Sequence, residues 1–333
     1  MAEDINEFLF TWLYEHELEN TFSFVWAIDT HEPYNPPYGF RRFSTSSPTK
    51  PDEGGTSDIR SAGAEDQQRL IDLYDDELIY NDHCLGEMVT FLKEKKLYDD
   101  TMLIVLGDHG EAFYEHGVYS HGHAPFEEII HVPLIIKFPQ RKYVGKRVAG
   151  LVELIDIFPT VVATVEEPTN ESESLTMQGY NLLPLIDGRA DQVRDYAFSE
   201  TRTLAIHNRY LSARGMHWKY IRMEKPSRNT GTILKTLQHV FKQKIVSAIL
   251  RSPGHFVKNY FSRSNEWLFD LGNNLEEQEN LIYKESQKAD LMRKALDEWL
   301  CKNDILSKKI ENASVQIEES LILQKHLEKL RYL

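Results

Sequence analysis

Residues 101 to 139, TMLIVLGDHGEAFYEHGVYSHGHAPFEEIIHVPLIIKFP, decide the fold. The run Thr101 to Gly107 is continuously apolar and bounded by polar residues, the pattern of a central parallel strand covered by helices on both faces. Leu134 to Phe138 reads the same way. Between them lie Asp108-His109-Gly110-Glu111, His116 and His121-Gly122-His123. Carboxylate oxygens and imidazole nitrogens are the usual ligands of a divalent cation, and in open α/β sheets ligands gather at the carboxyl ends of strands. The competing reading makes Asp108 a turn cap and the histidines surface polar groups. Asp108 and four histidines between positions 108 and 123, five potential ligands, weigh against it.

Working outward, Asp4 to Glu19 alternates Phe8, Leu9, Trp12 and Leu13 with acids at helical spacing, and Phe22 to Ile28 (FSFVWAI) reads as a buried strand. Asp29-Thr-His31-Glu-Pro33-Tyr34 follows at once. A histidine after a strand is commonly structural, yet this one shares the strand-end location of Asp108. Asp29 to Ser61, rich in Pro, Gly, Ser and Thr, predicts a long surface loop. A helix is expected from Glu65 to Lys96, with Leu70, Leu73, Tyr74, Leu78, Cys84, Leu85, Met88 and Leu92 on its apolar face. Downstream, Val148 to Leu154 suggests a further strand and Ile157 to Val165 a helix, so the class is α/β. From Tyr196 the texture changes to short strands at Tyr196–Ser199, Tyr210–Ala213, Trp218–Met223 and Trp267–Leu271, which suggest a small antiparallel sheet. Amphipathic helices are expected at Ser286–Leu300 and Ser307–Leu330.

The chain has 333 residues, 41% of them hydrophobic and 27% charged, enough for a sizeable core. No stretch approaches the roughly 18 to 20 apolar residues of a membrane span, and Met1 to Asn20 lacks a signal peptide's blocks, so a cytoplasmic location is expected. Only Cys84 and Cys301 are present, which indicates neither a disulfide framework nor a cysteine-rich zinc site and reads as two ordinary small apolar residues. The net charge of −14 argues against nucleic-acid partners. Lys219 to Arg263 nevertheless holds ten Lys or Arg against one acid, Glu224, so that segment is +9 and the remainder −23. Within it Ile233, Leu234, Leu237, Val240, Phe241, Ile245, Ile249 and Leu250 recur at helical spacing. The basic insertion 224–263 therefore reads as a helix packed on the acidic body of the protein, with an anionic membrane surface as the alternative.

At residues 101 to 139 the resemblance becomes specific: this run is similar to the sulfatase family's strand, D-H/N-G-E turn and Y/F-E-E-x-x-x-V-P-L segment. Supporting matches are D-x-H-x-P-Y at Asp29 to Tyr34, YDDELIYNDHCLGEM (74 to 88), LIDIFPTVV (154 to 162), WKYI (218 to 221) and LFDLGNNLEEQENL (268 to 281). The resemblance implies an alkaline-phosphatase-like α/β fold: the carboxyl-terminal part of the catalytic domain at 1–195, a small α+β subdomain at 196–303 with the basic insertion, and a terminal helix at 304–333. It implies sulfate ester hydrolysis with Asp108 and His109 as ligands of a divalent metal ion. His109 stands where many calcium sulfatases have Asn, a variation shared with relatives that cleave phosphodiesters or phosphonates. Imidazole suits manganese, zinc or iron better than calcium, so calcium and manganese both stay open. By the same resemblance His31 contacts the sulfate oxygens. His123, and less readily His121, takes the place of the basic residue that assists the leaving group, while Glu111, Glu127 and Glu128 organise the loop.

The family's nucleophile, a formylglycine made in Cys/Ser-x-Pro-x-Arg, has no counterpart in this sequence. Ser46-Ser-Pro48-Thr-Lys50 and Glu224-Lys-Pro226-Ser-Arg228 are coincidental echoes, the first with Lys for Arg and the second with Glu for the nucleophile. A truncated or split enzyme is therefore expected, its nucleophile half supplied by a separate chain, and the substrate is a sulfate or phosphate ester. A non-catalytic binding descendant is the remaining alternative.

Overall fold

The computed structural model describes residues 1–16, 19–44, 64–165, 178–202, 208–225 and 265–314. The chain divides into two compact units, Met1–Thr101 with Glu298–Leu333, and Met102–Asp297.

In the first unit, helices α1 (Ala2–Glu15) and α2 (Ala64–Glu94) lie side by side. Glu3 and Asp4 in the first turn of α1 complement the helix dipole. The seam is carried by positions four apart, Ala2, Asn6 and Phe10. Asn6 Nδ2 donates to the Cys84 carbonyl at 2.7 Å, and Phe10 stacks on Phe91 at 4.4 Å. Phe8, expected on the apolar face, is exposed instead, because the i, i+4 row through Asn6 takes the inner side. On α2, Leu70, Leu73, Tyr80, Cys84 and Leu92 are buried as a core face should be, whereas Leu78 is exposed. Cys84 is thus a packed apolar residue, and Cys301 is exposed.

Phe22 to Ile28 belongs to no strand of the described sheets, and every residue from Thr21 to Ile28 is exposed. Apolar composition creates the need for burial; a strand also requires a neighbour to take its N–H and C=O groups. The loop beyond is tightly tied to α2 as far as Ser44. Asp76 Oδ1 accepts the amides of Arg42 and Phe43 at 2.8 and 3.0 Å, and its Oδ2 accepts that of Ser44 at 3.0 Å. Glu77 Oε1 accepts the Asn35 amide at 2.7 Å. The remainder of the expected loop lies outside the described residues.

The second unit is built on two larger pairings. Strands β1 (Leu103–Leu106) and β4 (Leu134–Lys137) are antiparallel, with Ile104 opposite Ile136. The parallel arrangement expected for these runs is not the pairing found, since an apolar run reports burial and not the direction of the neighbour. Short strands β2 (Ala112–Phe113) and β3 (Tyr119–Ser120) form a hairpin between them, followed by helix α3 (Glu127–Ile130). Beyond β4, Val148 to Leu154 contains no strand, and α4 (Ile157–Val165) and α5 (Leu183–Asp187) follow. Strands β5 (Ala197–Arg202), β6 (Arg209–Arg214), β7 (Trp218–Glu224) and β8 (Glu266–Asp270) make an antiparallel sheet in that order, as the short-strand texture predicts. Ala124, Phe126, Tyr210, Ile221, Met223, Trp267, Phe269 and Leu271 form one buried cluster, which fastens the loop after β3 to this sheet. Helix α6 (Ser286–Ser314) is longer than its expected first half. The basic stretch 233–250, expected to be helical, and the chain beyond Ser314 lie outside the described residues. The class is α/β. Among the described residues no helix is long and apolar enough to cross a membrane.

Candidate functional site

The loop between β1 and β4 is fixed by its backbone before any side chain acts. Gly107 N–H donates to the Pro133 carbonyl at 3.2 Å, and Gly110 N–H to that of Ile129 at 2.8 Å. A Cβ on Gly110 would meet Glu128 O at 2.0 Å, so only glycine lets the turn press against α3. This close approach holds Asp108 and His109 out at the strand end, with side chains 61% and 41% exposed.

Asp108 Oδ1 accepts the His109 amide at 2.9 Å. His109 Nδ1 lies 2.9 Å from the Gly110 carbonyl. A carbonyl can only accept, so Nδ1 carries the proton and the lone pair is on Nε2, which is 4.0 Å from Asp108 Oδ1. That tautomer, locked by a backbone acceptor, is the one a metal-binding histidine adopts. Asp108 and His109 thus fit as two adjacent ligands of a divalent cation, one hard oxygen and one imidazole.

The hairpin returns His121 to the same place. Its ring centroid is 4.3 Å from that of His109, and its Nδ1 is 3.3 Å from Oε1 of buried Glu111. His123 is turned elsewhere, with Nε2 donating to the Tyr119 carbonyl at 3.0 Å. Burial is the main reason the His123 pKa falls below the ordinary imidazole value; the neighbouring His121 adds to this, and the Tyr119 carbonyl opposes it. The shift favours the neutral form of His123. Asp108, His109 and His121 come together, and His123 stands apart. His31 belongs to the first unit, where it is exposed, with Nδ1 donating to the Glu32 carbonyl at 2.6 Å. The Glu32–Pro33 peptide next to it is cis.

Behind the histidine loop lies a charged network that joins three of the motifs quoted from the sequence. Lys219, fully buried in β7, places Nζ 3.1 Å from Glu127 Oε1 and 2.9 Å from Glu277 Oε1. Arg214 reaches Glu127 at 3.4 Å, and Glu277 Oε2 accepts the Glu127 amide at 2.7 Å. Burial pushes both carboxyls upward. At Glu127 the two cations outweigh it and the pKa falls; at Glu277 burial prevails and the pKa rises. His116 stacks on Phe126 at 3.8 Å with Nδ1 2.7 Å from Glu128 Oε1. Burial lowers its pKa, but the Glu128 carboxylate more than reverses this, so the net shift is upward. Ligand atoms of His116, Glu128 and Glu277 lie within 4.8 Å of one another, a spacing compatible with a cation. Glu277 already answers Lys219 there, and Glu128 answers His116. These contacts make Glu127 and Glu128 organisers of the loop.

Lys219, Glu277 and Arg214 were not legible as site residues from residue types. The available signal was a lysine inside the apolar alternation of Trp218–Ile221, a position that demands a buried anion.

The sequence profile of the family described as Sulfatase matches residues 1–166. Human arylsulfatase K is 32% identical over 149 residues, which are 42% of this chain and 26% of that protein. Arylsulfatase K of Gallus gallus is 26% identical over 257 residues, 67% of this chain and 46% of that protein. Among solved structures, a 2-O GAG sulfatase superposes with a TM-score of 0.55 at 15% identity, covering 89% of this chain and 57% of its own. The phosphonate monoester hydrolase of Agrobacterium radiobacter superposes with a TM-score of 0.50 at 22% identity, covering 74% and 43%. These structures share the fold. The chain spans a quarter to just under half the length of these two curated relatives.

Proposed function

We propose, from the premise that this chain belongs to the sulfatase family, that it supplies the cation-binding and leaving-group side of a sulfate ester hydrolase site. The observation that carries this reading is the convergence of Asp108, His109 and His121 on one exposed strand end, with His109 held in the ligand tautomer. Asp108 and His109 hold the divalent cation, calcium or manganese. When bound, the cation supplies positive charge against the sulfate oxygens. His121, not His123, is the leaving-group residue in this proposal. An imidazole beside the carboxylate of Glu111 can carry and donate a proton, whereas His123 is half-buried, committed to a carbonyl and placed where burial disfavours its charged form. His31 binds sulfate oxygens as a donor.

The sequence contains no Cys or Ser followed by x-Pro-x-Arg, so turnover requires a nucleophile carried by another polypeptide segment. A second reading, hydrolysis of phosphodiesters or phosphonates, draws on the imidazole at 109 and on the shared fold of the phosphonate monoester hydrolase.

Manganese titration of the chain, followed by the ion's magnetic resonance signal, tests the cation site. Wild type should bind, and Asp108→Ala and His109→Ala should each weaken binding at least tenfold. Equal binding by all three would overturn the assignment. With a nucleophile-bearing segment added, cleavage of 4-nitrophenyl sulfate supports the first reading, and cleavage of bis-4-nitrophenyl phosphate alone supports the second.

A further inference from the structure

We propose that Glu277 is a positioning residue for the cation site: acting through helix α3, it holds the turn that carries Asp108 and His109 and so sets how tightly that turn takes a cation. The inference rests on the cation reading of Asp108 and His109 and extends it to a residue beyond β8. The path of contacts begins at the turn, where Gly110 donates its amide to Ile129 in α3 and Gly107 donates to Pro133 just past it. A backbone pressed as closely as Gly110 against Glu128 passes any shift of α3 on to Asp108 and His109. Helix α3 cannot hold itself in place. It is four residues long, its N-cap Phe126 supplies no side-chain cap, and helices so short depend on tertiary contacts.

Glu277 supplies those contacts at three points. Its Oε2 accepts the Glu127 amide at the first residue of α3, and its Oε1 holds Lys219 Nζ, which also reaches the Glu127 carboxylate. Its carbonyl lies 3.4 Å from Nε2 of His116, the ring stacked on Phe126 immediately before α3. Backbone and side chain of one α3 residue are thus tied to a single carboxylate. Two features of Glu277 go beyond what packing needs. Its backbone is left-handed, with φ of 52°, a conformation that costs free energy for a residue other than glycine. Its side chain is fully buried, and a buried ion pair is often no more stabilising than apolar residues of similar volume. What the strain and the buried charge secure is the placement of α3, and with it the placement of the Asp108–His109 turn.

The test is made on the full chain with manganese as the probe. Glu277→Leu, which leaves Lys219 its partner Glu127, should weaken manganese binding about tenfold. Glu277→Gln keeps an acceptor for the Glu127 amide and should recover most of that loss. Leu211→Ala, buried in β6 outside the cluster that packs on the histidine loop, should lose stability with cation affinity intact, which is how a merely structural defect would look. Near-ultraviolet circular dichroism checks that each variant is folded. Should Glu277→Leu not fold, Lys219→Met/Glu277→Leu takes its place, since it removes the buried pair together and leaves Glu127 with Arg214. A second readout needs no cation: in Glu277→Leu the Gly110 amide should exchange about tenfold faster than in Leu211→Ala, as expected of a local opening, and the His109 ring nitrogens should report a mixture of tautomers. If wild type takes up no manganese, the cation reading of Asp108 and His109 falls by itself, and the Gly110 and His109 signals decide the positioning role. Unchanged affinity with unchanged exchange, a loss matched by Leu211→Ala, or no recovery in Glu277→Gln would each overturn the proposal.

Discussion

Two apolar stretches, Phe22–Ile28 and Thr101–Gly107, each run into a histidine-bearing loop, and they meet opposite fates. The second finds β4 within its own chain and becomes β1; the first finds no strand partner among the described residues. The loops behind them are nevertheless secured by the same means, buried carboxylates that take up backbone amides. Asp76 and Glu77 do this for residues 35–44, and Glu277 does it for Glu127 at the start of α3. Strand formation therefore depends on a neighbour, whereas loop placement depends on carboxylates that the chain carries itself.

The sharpest way to break this parallel is to remove the cation that makes the second loop's carboxylates tolerable. Lys219→Met leaves buried Glu277 without its cation and Glu127 with Arg214 alone, and should cost about 4 kcal/mol of stability in urea denaturation. Adding Glu277→Gln to that variant should restore part of the loss.

Among the described residues no fully buried cation lies beside the first loop's carboxylates, and its weakness is a pH dependence. Burial pushes the Glu77 carboxyl up to about 7, opposed by the Asn35 amide and by Arg41 and reinforced by Asp29 and Asp76. The unfolded carboxyl titrates near its ordinary value of 4.5. Between these values the folded state binds the extra proton, so stability falls as pH rises from about 4.5 to about 7 and is level above. The shift corresponds to about 3 kcal/mol. Glu77→Gln keeps an acceptor for Asn35 and should flatten this part of the profile in melting experiments from pH 5 to pH 8.

The smallest effect compares the stretches themselves. Ile104→Asp, opposite Ile136, should cost about 2 kcal/mol, while Phe24→Asp should change the stability of the chain alone by less than about 0.5 kcal/mol. Equal losses would mean that Phe22–Ile28 is already packed in solution.

The sequence by itself determined the α/β class, helix α2, the four short strands of the antiparallel sheet and the Asp108–His109 turn. Each follows from a local pattern: periodicity, an apolar run, or ligand types crowded after a strand. It also placed Lys219 and Glu277 inside motifs of the family resemblance without disclosing that they meet. Only the tertiary structure decided that His121 approaches His109 while His123 turns to a carbonyl, since residues two apart in a turn diverge by backbone angles that composition does not encode. The direction of β4 and the absence of Phe22–Ile28 from every described sheet were likewise decided there. The reason is the same for both: a strand's hydrogen bonds are completed by residues distant in the chain, and no local pattern names them.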